Sequence, residues 1–182
     1  MNKIILALAL VCLVPLSGCQ PREDASRSQE QNAISASRKE VARKLVSQAV
    51  VFLENKDVKG AVTALEDAIK TDPSGPDSYL LLSQILLKAE QFDQATALLD
   101  QAAKIFPDNG TVFYMLSVSN KMAGRKLPAV LAARHSFDIF KAANDAANAQ
   151  KSAVLLEEVI ASPEMTTPVA PATSGAKAPV RK

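Results

Sequence analysis

Two phrases decide how this chain reads: AIKTDP at residues 68–73 and AAKIFP at residues 102–107. Each closes a helix-compatible run on a proline, and Pro73 and Pro107 stand 34 residues apart. Proline lacks an N–H and pushes the residue before it out of the α region, so both phrases are helix stops. A stop that recurs at a fixed interval indicates an internal repeat. Setting the two prolines at position 32 of a 34-residue unit starts the units at Ala42, Pro76 and Gly110. Positions 8, 20 and 27 are then Ala49, Ala61 and Ala68; Ser83, Ala95 and Ala102; Ser117, Ala129 and Ser136. All nine are Ala or Ser. With 30 Ala, 15 Ser and 6 Gly in 182 residues, that arises by chance roughly once in 10⁵, or a few times in 10⁴ over all registers. Small residues at fixed helical positions let two helices cross closely, at about 8–10 Å between axes.

The period, the small positions and the proline together resemble the tetratricopeptide repeat, a helix–turn–helix unit of 34 residues. The larger apolar positions 4, 7, 11 and 24 agree best in unit two, where they are Tyr79, Leu82, Leu86 and Leu99. Unit one has Leu45, Gln48, Phe52 and Leu65, and unit three has Phe113, Leu116, Asn120 and Ala133. Gln48, Asn120, Ala133 and Lys141, which replaces the third proline, depart from the pattern. The Trp at position 4 and Gly at position 8 typical of the family are missing throughout.

Helix start and stop chemistry supports the same divisions. Ser37-Arg38-Lys39-Glu40 has the spacing of a capping box, placing the first helix start at Ser37. Asp57 suits the N-cap of the second helix, Pro76 and Pro128 suit first helical turns, and Gly124 suits a left-handed C-terminal cap. Asn144 or Asp145 opens a last helix whose Ala146, Ala149, Ala153, Leu156 and Ile160 form the inward stripe, with Gln150, Lys151, Glu157 and Glu158 turned elsewhere. Such a solvating cap helix is what a repeat array requires at its end. The fold class expected is all-α: a solenoid of about three repeats plus a C-terminal capping helix, over residues 37–162.

Composition agrees. Trp is absent, aromatics are 4% of residues, and the 30 Ala favour helix over a sandwich or barrel. Lys+Arg 21 against Asp+Glu 19 leaves a net charge of +2, so no charge bias points to nucleic acid. The single histidine, His135, has Ser136 and Asp138 nearby, but adjacent residues on a helix do not face each other. No phosphate loop, zinc spacing or HExxH motif is present. No catalytic residue, metal or cofactor is expected, and the chain reads as a non-enzyme.

The first 18 residues read as an address. Lys3 precedes an apolar run from Ile4 to Leu16, too short to span a bilayer and the length of a signal-peptide core. The run ends in Leu16-Ser17-Gly18-Cys19, which resembles the lipobox of bacterial lipoproteins. That resemblance implies cleavage before Cys19, lipidation of Cys19, and anchoring by acyl chains at about 0.8 kcal/mol per buried methylene. With Gln20 next in the chain, it implies sorting to the outer membrane, facing the periplasm. Cys12 would leave with the signal and Cys19 would be acylated, so no disulfide is expected. Residues 19–36 are polar and expected to be a flexible tether. Residues 163–182 carry four prolines, which preclude regular helix, and read as a disordered Pro/Ala-rich tail with a basic end at Lys177, Arg181 and Lys182.

The family resemblance implies a concave face lined by the first helices. Its rows at positions 2, 5, 9 and 12 are Arg43, Val46, Val50 and Leu53; Asp77, Leu80, Gln84 and Leu87; Thr111, Tyr114, Val118 and Lys121. The groove positions expected to meet a partner are Val46, Val50, Leu53, Leu80, Gln84, Leu87, Tyr114, Val118 and Lys121. The Lys/Asn set with which some family members clamp a terminal carboxylate is not reproduced. A protein or peptide segment with aliphatic anchors is therefore expected, on a lipid-anchored envelope adaptor. The alternative expectation is a structural subunit whose repeats self-associate into a homo-oligomer. The register itself is testable: Ala95→Leu is expected to overpack a crossing and lower stability by roughly 1–3 kcal/mol in denaturant melts. An unchanged midpoint would contradict the register.

Overall fold

The computed structural model describes residues 22–162. The expected leader, the Cys19 lipobox and the tail at 163–182 lie outside the described residues. Seven helices occur among the described residues: α1 (Arg22–Glu54), α2 (Val58–Thr71), α3 (Pro76–Lys88), α4 (Phe92–Ile105), α5 (Gly110–Met122), α6 (Lys126–Ala142) and α7 (Ala146–Ala161). The chain divides into two compact units, Met1–Ser37 and Arg38–Lys182. In the first, the described residues are helical from Arg22, and those from Arg27 to Ser37 are exposed. In the second, α2 to α7 pack each on the next, and the alternate pairs α3·α5 and α5·α7 also touch. This is the all-α, repeated helix–turn–helix architecture expected from the 34-residue period.

All nine small positions are fully buried. Ala49, Ala61 and Leu65 share one apolar cluster with Leu82 and Ile85, joining the first unit to the second. Tyr79, Ala102 and Val112 form the next cluster, and Leu99, Leu116 and Ala132 the one beyond it. Ala129 and Ala133 with Leu155 and Val159 close the series against α7. Where serine takes a crossing position, its hydroxyl is satisfied: Ser83 Oγ donates to Leu80 O (2.8 Å), Ser117 Oγ to Ala129 O (2.8 Å) and Ser136 Oγ to Gly110 O (2.8 Å). A buried hydroxyl without such a partner would cost about 1–3 kcal/mol.

The departures from the repeat pattern have local explanations. Position 7 is buried as Leu82 and Leu116, but Gln48 is exposed because no repeat precedes the first unit to cover it. Asn120 is buried and its amide donates to Leu116 O at 3.0 Å. Lys141 leaves α6 without a proline stop, and that helix runs 17 residues where α2 and α4 have 14. At the other end, Gly110 lies so close to the Phe140 ring that an added Cβ would sit 2.8 Å from it. That glycine is needed for helix approach.

The caps obey the expected chemistry with one exception. Asp57 accepts from Gly60 N (2.8 Å) and Asp145 from Asn148 N (3.1 Å), while Pro76 opens α3. The Asn148 N–H is the main reason the half-buried Asp145 carboxyl is held below the ordinary carboxylate range. Ser37 is the exception: it lies inside α1 rather than capping it. No Pro or Gly stands between Arg22 and Glu54, so a helix nucleated in the packed part propagates back through good helix formers. The inward stripe of α7 is also turned from the one expected. Ala149, Ser152, Leu155 and Val159 are buried, while Ala146 and Ile160 are exposed. Ser152 belongs to the core because its hydroxyl meets Ser136 Oγ at 2.9 Å.

The turn inside each repeat carries a feature the residue types conceal. Gly124 has φ 74, as a left-handed cap requires, but the equivalent position 15 is Lys56 (φ 61) in unit one and Glu90 (φ 58) in unit two. All three turns close with the same hydrogen bond back to the helix: Asp57 N to Phe52 O, Gln91 N to Leu86 O and Arg125 N to Asn120 O. A non-glycine residue in this region costs roughly 1–2 kcal/mol, partly offset by the larger unfolded-state entropy of glycine. Lys56→Gly and Glu90→Gly are each expected to raise stability by about 0.5–1 kcal/mol in denaturant titrations. A lower midpoint would mean that these side chains contribute contacts outweighing their backbone strain.

Candidate functional site

The candidate site is the row of side chains that α1, α3 and α5 leave after their crossing faces are used. On α1, Val46 and Leu53 are half-buried against the first apolar cluster, and Val50 is 40% exposed between them. On α3, Leu80 is half-buried between two clusters, Leu87 is half-buried in the last turn, and Gln84 is exposed. Arg43, Asp77 and Thr111 are exposed beside these rows. Aliphatic side chains held this way keep apolar surface in water worth about 25 cal/mol per Å² to any partner that covers it.

The third row is differently employed. Tyr114 and Val118 pack against the cluster of Ala129, Ala133, Leu155 and Val159, which includes α7. Lys121 Nζ meets Glu158 Oε2 of α7 at 2.6 Å. Here α7 stands where the first helix of a further repeat would lie, and its packing takes up the side chains that α1 and α3 leave open. The open strip therefore comprises Val50, Leu53, Leu80, Gln84 and Leu87, with α7 forming its far boundary.

Other features test the remaining sequence readings. His135 is exposed and its ring meets Phe113 edge-on, with centroids 4.2 Å apart. Ser136 is committed to buried hydrogen bonds, so the two do not form a nucleophile–base pair. Tyr79 is buried edge-on to Phe106, its hydroxyl has no hydrogen-bond partner, and burial, with Asp72 nearby, pushes its pKa up. Among the described residues there is no cluster of three or more metal-ligating side chains, and no helix is long and apolar enough to cross a membrane. Arg125 and Asp93 pair across the turns of units two and three.

A cleft of about 600 Å³ opens among α2, α3 and α4, lined by Val58, Val62, Leu82, Ile85, Leu86 and Leu98 together with Lys59, Glu66, Gln91 and Gln94 among others. Sequence reasoning missed it. The signal lay at position 17, where Val58 stands in unit one and the larger Phe92 in unit two. Val58 lines the cleft and is 51% exposed.

Comparison with known proteins bears on the class of fold. Residues 52–117 match the tetratricopeptide repeat family. The TPR2B domain of yeast Sti1, solved in a pHsp70 complex, superposes with a TM-score of 0.60 at 17% identity, covering 65% of this chain and 95% of that one. The Arabidopsis OM64 TPR domain gives 0.56 at 17% identity, covering 66% and 98%. The first TPR of Spaghetti (RPAP3), bound to the HSP90 peptide SRMEEVD, gives 0.58 at 10% identity, covering 68% and 96%. No curated protein matches the chain in sequence. The chain thus has the fold of a tetratricopeptide-repeat solenoid, with the family's own repeats recognised over residues 52–117.

Proposed function

We propose that this chain is an adaptor that holds a protein segment with aliphatic anchors in the strip formed by Val50, Leu53, Leu80, Gln84 and Leu87. The observation that carries this reading is the contrast along the first helices. Tyr114 and Val118 are half-buried, as Leu87 is, but pack against the cluster that includes α7, whereas Val50 remains 40% exposed and Gln84 is exposed. A fold shared with domains solved in complex with a pHsp70 or an HSP90 peptide supports a peptide as the partner class. The chemistry of the strip is aliphatic with one amide, which suits an amphipathic or extended apolar segment better than an acidic one. The Leu16-Ser17-Gly18-Cys19 motif supports the further reading that the adaptor is lipid-anchored through Cys19 at the outer membrane, facing the periplasm, in assembly or regulation of an envelope complex.

Self-association is the second reading, and one observation favours it. Position 10 of the repeat is buried as Ile85 and Ser119 but 52% exposed as Val51, and Val41 on the same helix is 46% exposed. A second copy could cover that end of the array without occupying the strip. Concentration-dependent mass of a chain starting after Cys19 separates the two readings.

Two outcomes are expected. Leu87→Glu places a charge where a partner's apolar group must be desolvated, costing several kcal/mol of binding. Helicity and melting should be retained while crosslinks in native membranes are lost. Persistence of the crosslinks in a folded mutant would exclude the strip. Cys19→Ala is expected to abolish incorporation of radiolabelled palmitate, and equal labelling of mutant and wild type would remove the lipid-anchor reading.

A further inference from the structure

The three repeats act as controls for one another on their second helices. Positions 18, 22 and 25 are exposed in every unit. Unit one carries Lys59, Thr63 and Glu66 there, and unit two carries Asp93, Ala97 and Asp100. Unit three carries Leu127, Leu131 and Arg134. The two leucines are 68% and 61% exposed, more than any other large hydrophobic side chain among the described residues. Position 13, at the end of each first helix, changes in the same way. It is Glu54 in unit one and Lys88 in unit two, but Met122, 48% exposed, in unit three. The fold holds polar or small residues at all of these places in the other units, so packing does not demand the apolar ones.

The charge changes with them. Between positions 12 and 28, unit one has Lys56 and Lys59 against Glu54, Asp57, Glu66 and Asp67, a net of −2. Unit two has Lys88 against Glu90, Asp93 and Asp100, again a net of −2. The same span of unit three, residues 121–137, holds Lys121, Arg125, Lys126 and Arg134 with no acidic residue, a net of +4. Neighbouring elements compensate part of this: Lys121 pairs with Glu158 and Arg125 with Asp93, while Lys126 Nζ donates to Ser162 O. Arg134 pairs with no carboxylate among the described residues. Asp138, one turn further along α6, acts against its charge.

Leu127, Leu131 and Arg134 stand at i, i+4 and i+7, so they share one stripe of α6. Met122 precedes Leu127 by five residues, across the turn at Gly124. Leucines exposed this far project from the surface, and a single peptide segment laid over them would leave their flanks in water. A bilayer has no such limit. Its interfacial region closes around projecting apolar side chains, and anionic headgroups attract cations within a Debye length of about 8 Å. An apolar stripe flanked by uncompensated cations is the chemistry such a surface selects.

We propose that the stripe of α6, with Met122 before it, is a contact surface for an anionic lipid bilayer: Met122, Leu127 and Leu131 enter the headgroup region, and Lys126 and Arg134 lie at the phosphates. The contact is peripheral, since no described helix is long and apolar enough to cross a membrane. It goes beyond the adaptor reading and depends neither on the strip, which lies on first helices, nor on lipidation of Cys19. Contact through one stripe of one second helix would fix which side of the array faces the lipid.

The test is nitroxide accessibility in the full chain carrying Cys12→Ser and Cys19→Ser. The label is placed at Leu131→Cys or, for comparison, at Ala97→Cys, the same repeat position in unit two. Collision with oxygen, which concentrates in lipid, is compared with collision with a water-soluble nickel chelate. In vesicles of phosphatidylethanolamine and phosphatidylglycerol, the label at position 131 is expected to shift toward oxygen while the one at 97 stays open to nickel. The shift should be lost in phosphatidylcholine vesicles. It should also be lost in the anionic vesicles on adding Leu127→Glu, with melting unchanged because that position holds Lys59 and Asp93 in the other units. Arg134→Glu, at a position acidic in both other units, repeats the test should Leu127→Glu melt early. Equal accessibility of the two labels in anionic vesicles overturns the proposal, and so does an equal shift in phosphatidylcholine. Protection of position 131 without lipid, growing with protein concentration, would assign the stripe to a second copy. Protection in native membranes but not in lipid vesicles would assign it to a protein partner. Either result overturns the lipid contact, and neither touches the strip, which is read by the Leu87→Glu crosslinks.

Discussion

The structure depends on one constraint: two helices can approach to about 8–10 Å only where neither presents a large side chain. Nine positions meet it, and every one is fully buried. The same constraint fixes which faces of α1, α3 and α5 are consumed in crossings and which are left over. The strip of Val50, Leu80 and Leu87 is the remainder after that subtraction. Function and fold are thus set by the same register.

Serine at some of those positions changes the character of the interior without changing its geometry. Ser117 and Ser136, with Ser152 of α7, place hydroxyls between helices, and each finds an oxygen on a neighbouring element or its own helix. Ser119 and Thr96 do the same at 2.6 Å between α5 and α4. Fully satisfied hydrogen bonds of this kind contribute modestly to stability but penalise any sliding of one helix past the next. The second half of the array is pinned by such bonds. At the junction of the first and second units, aliphatic Ile85 occupies the place of Ser119, and the 600 Å³ cleft opens there instead.

Much of this was legible in the residues alone. Ala95, Ser117 and their equivalents read as crossings because the repeat that the chain resembles holds small residues there, and Asp57, Pro76 and one of Asn144 and Asp145 read as helix starts because each answers an orphan N–H or lacks one. The features that escaped reading depended on neighbours. Ser37 looked like a cap, but a cap is realised only if the helix has a reason to begin there, and no Pro or Gly stands between Arg22 and Ser37. Lys56 and Glu90 concealed left-handed turns because side-chain chemistry does not report φ. Tyr114, Val118 and Lys121 were groove residues only as the family resemblance implied. Their engagement by α7 comes from the orientation of that helix, whose buried stripe runs through Ser152 rather than Ala153.

The claim that the first helices present the binding surface is tested most directly by site-specific photocrosslinking in native membranes. A photoreactive residue would be placed in turn at Val50, Gln84 and Leu87, and for comparison at Thr63 and Gln101, which are exposed on second helices. Irradiation should trap the same discrete product from all three strip positions and none from the two comparison positions. Equal yields from both sets, or products only from Thr63 and Gln101, would contradict the account.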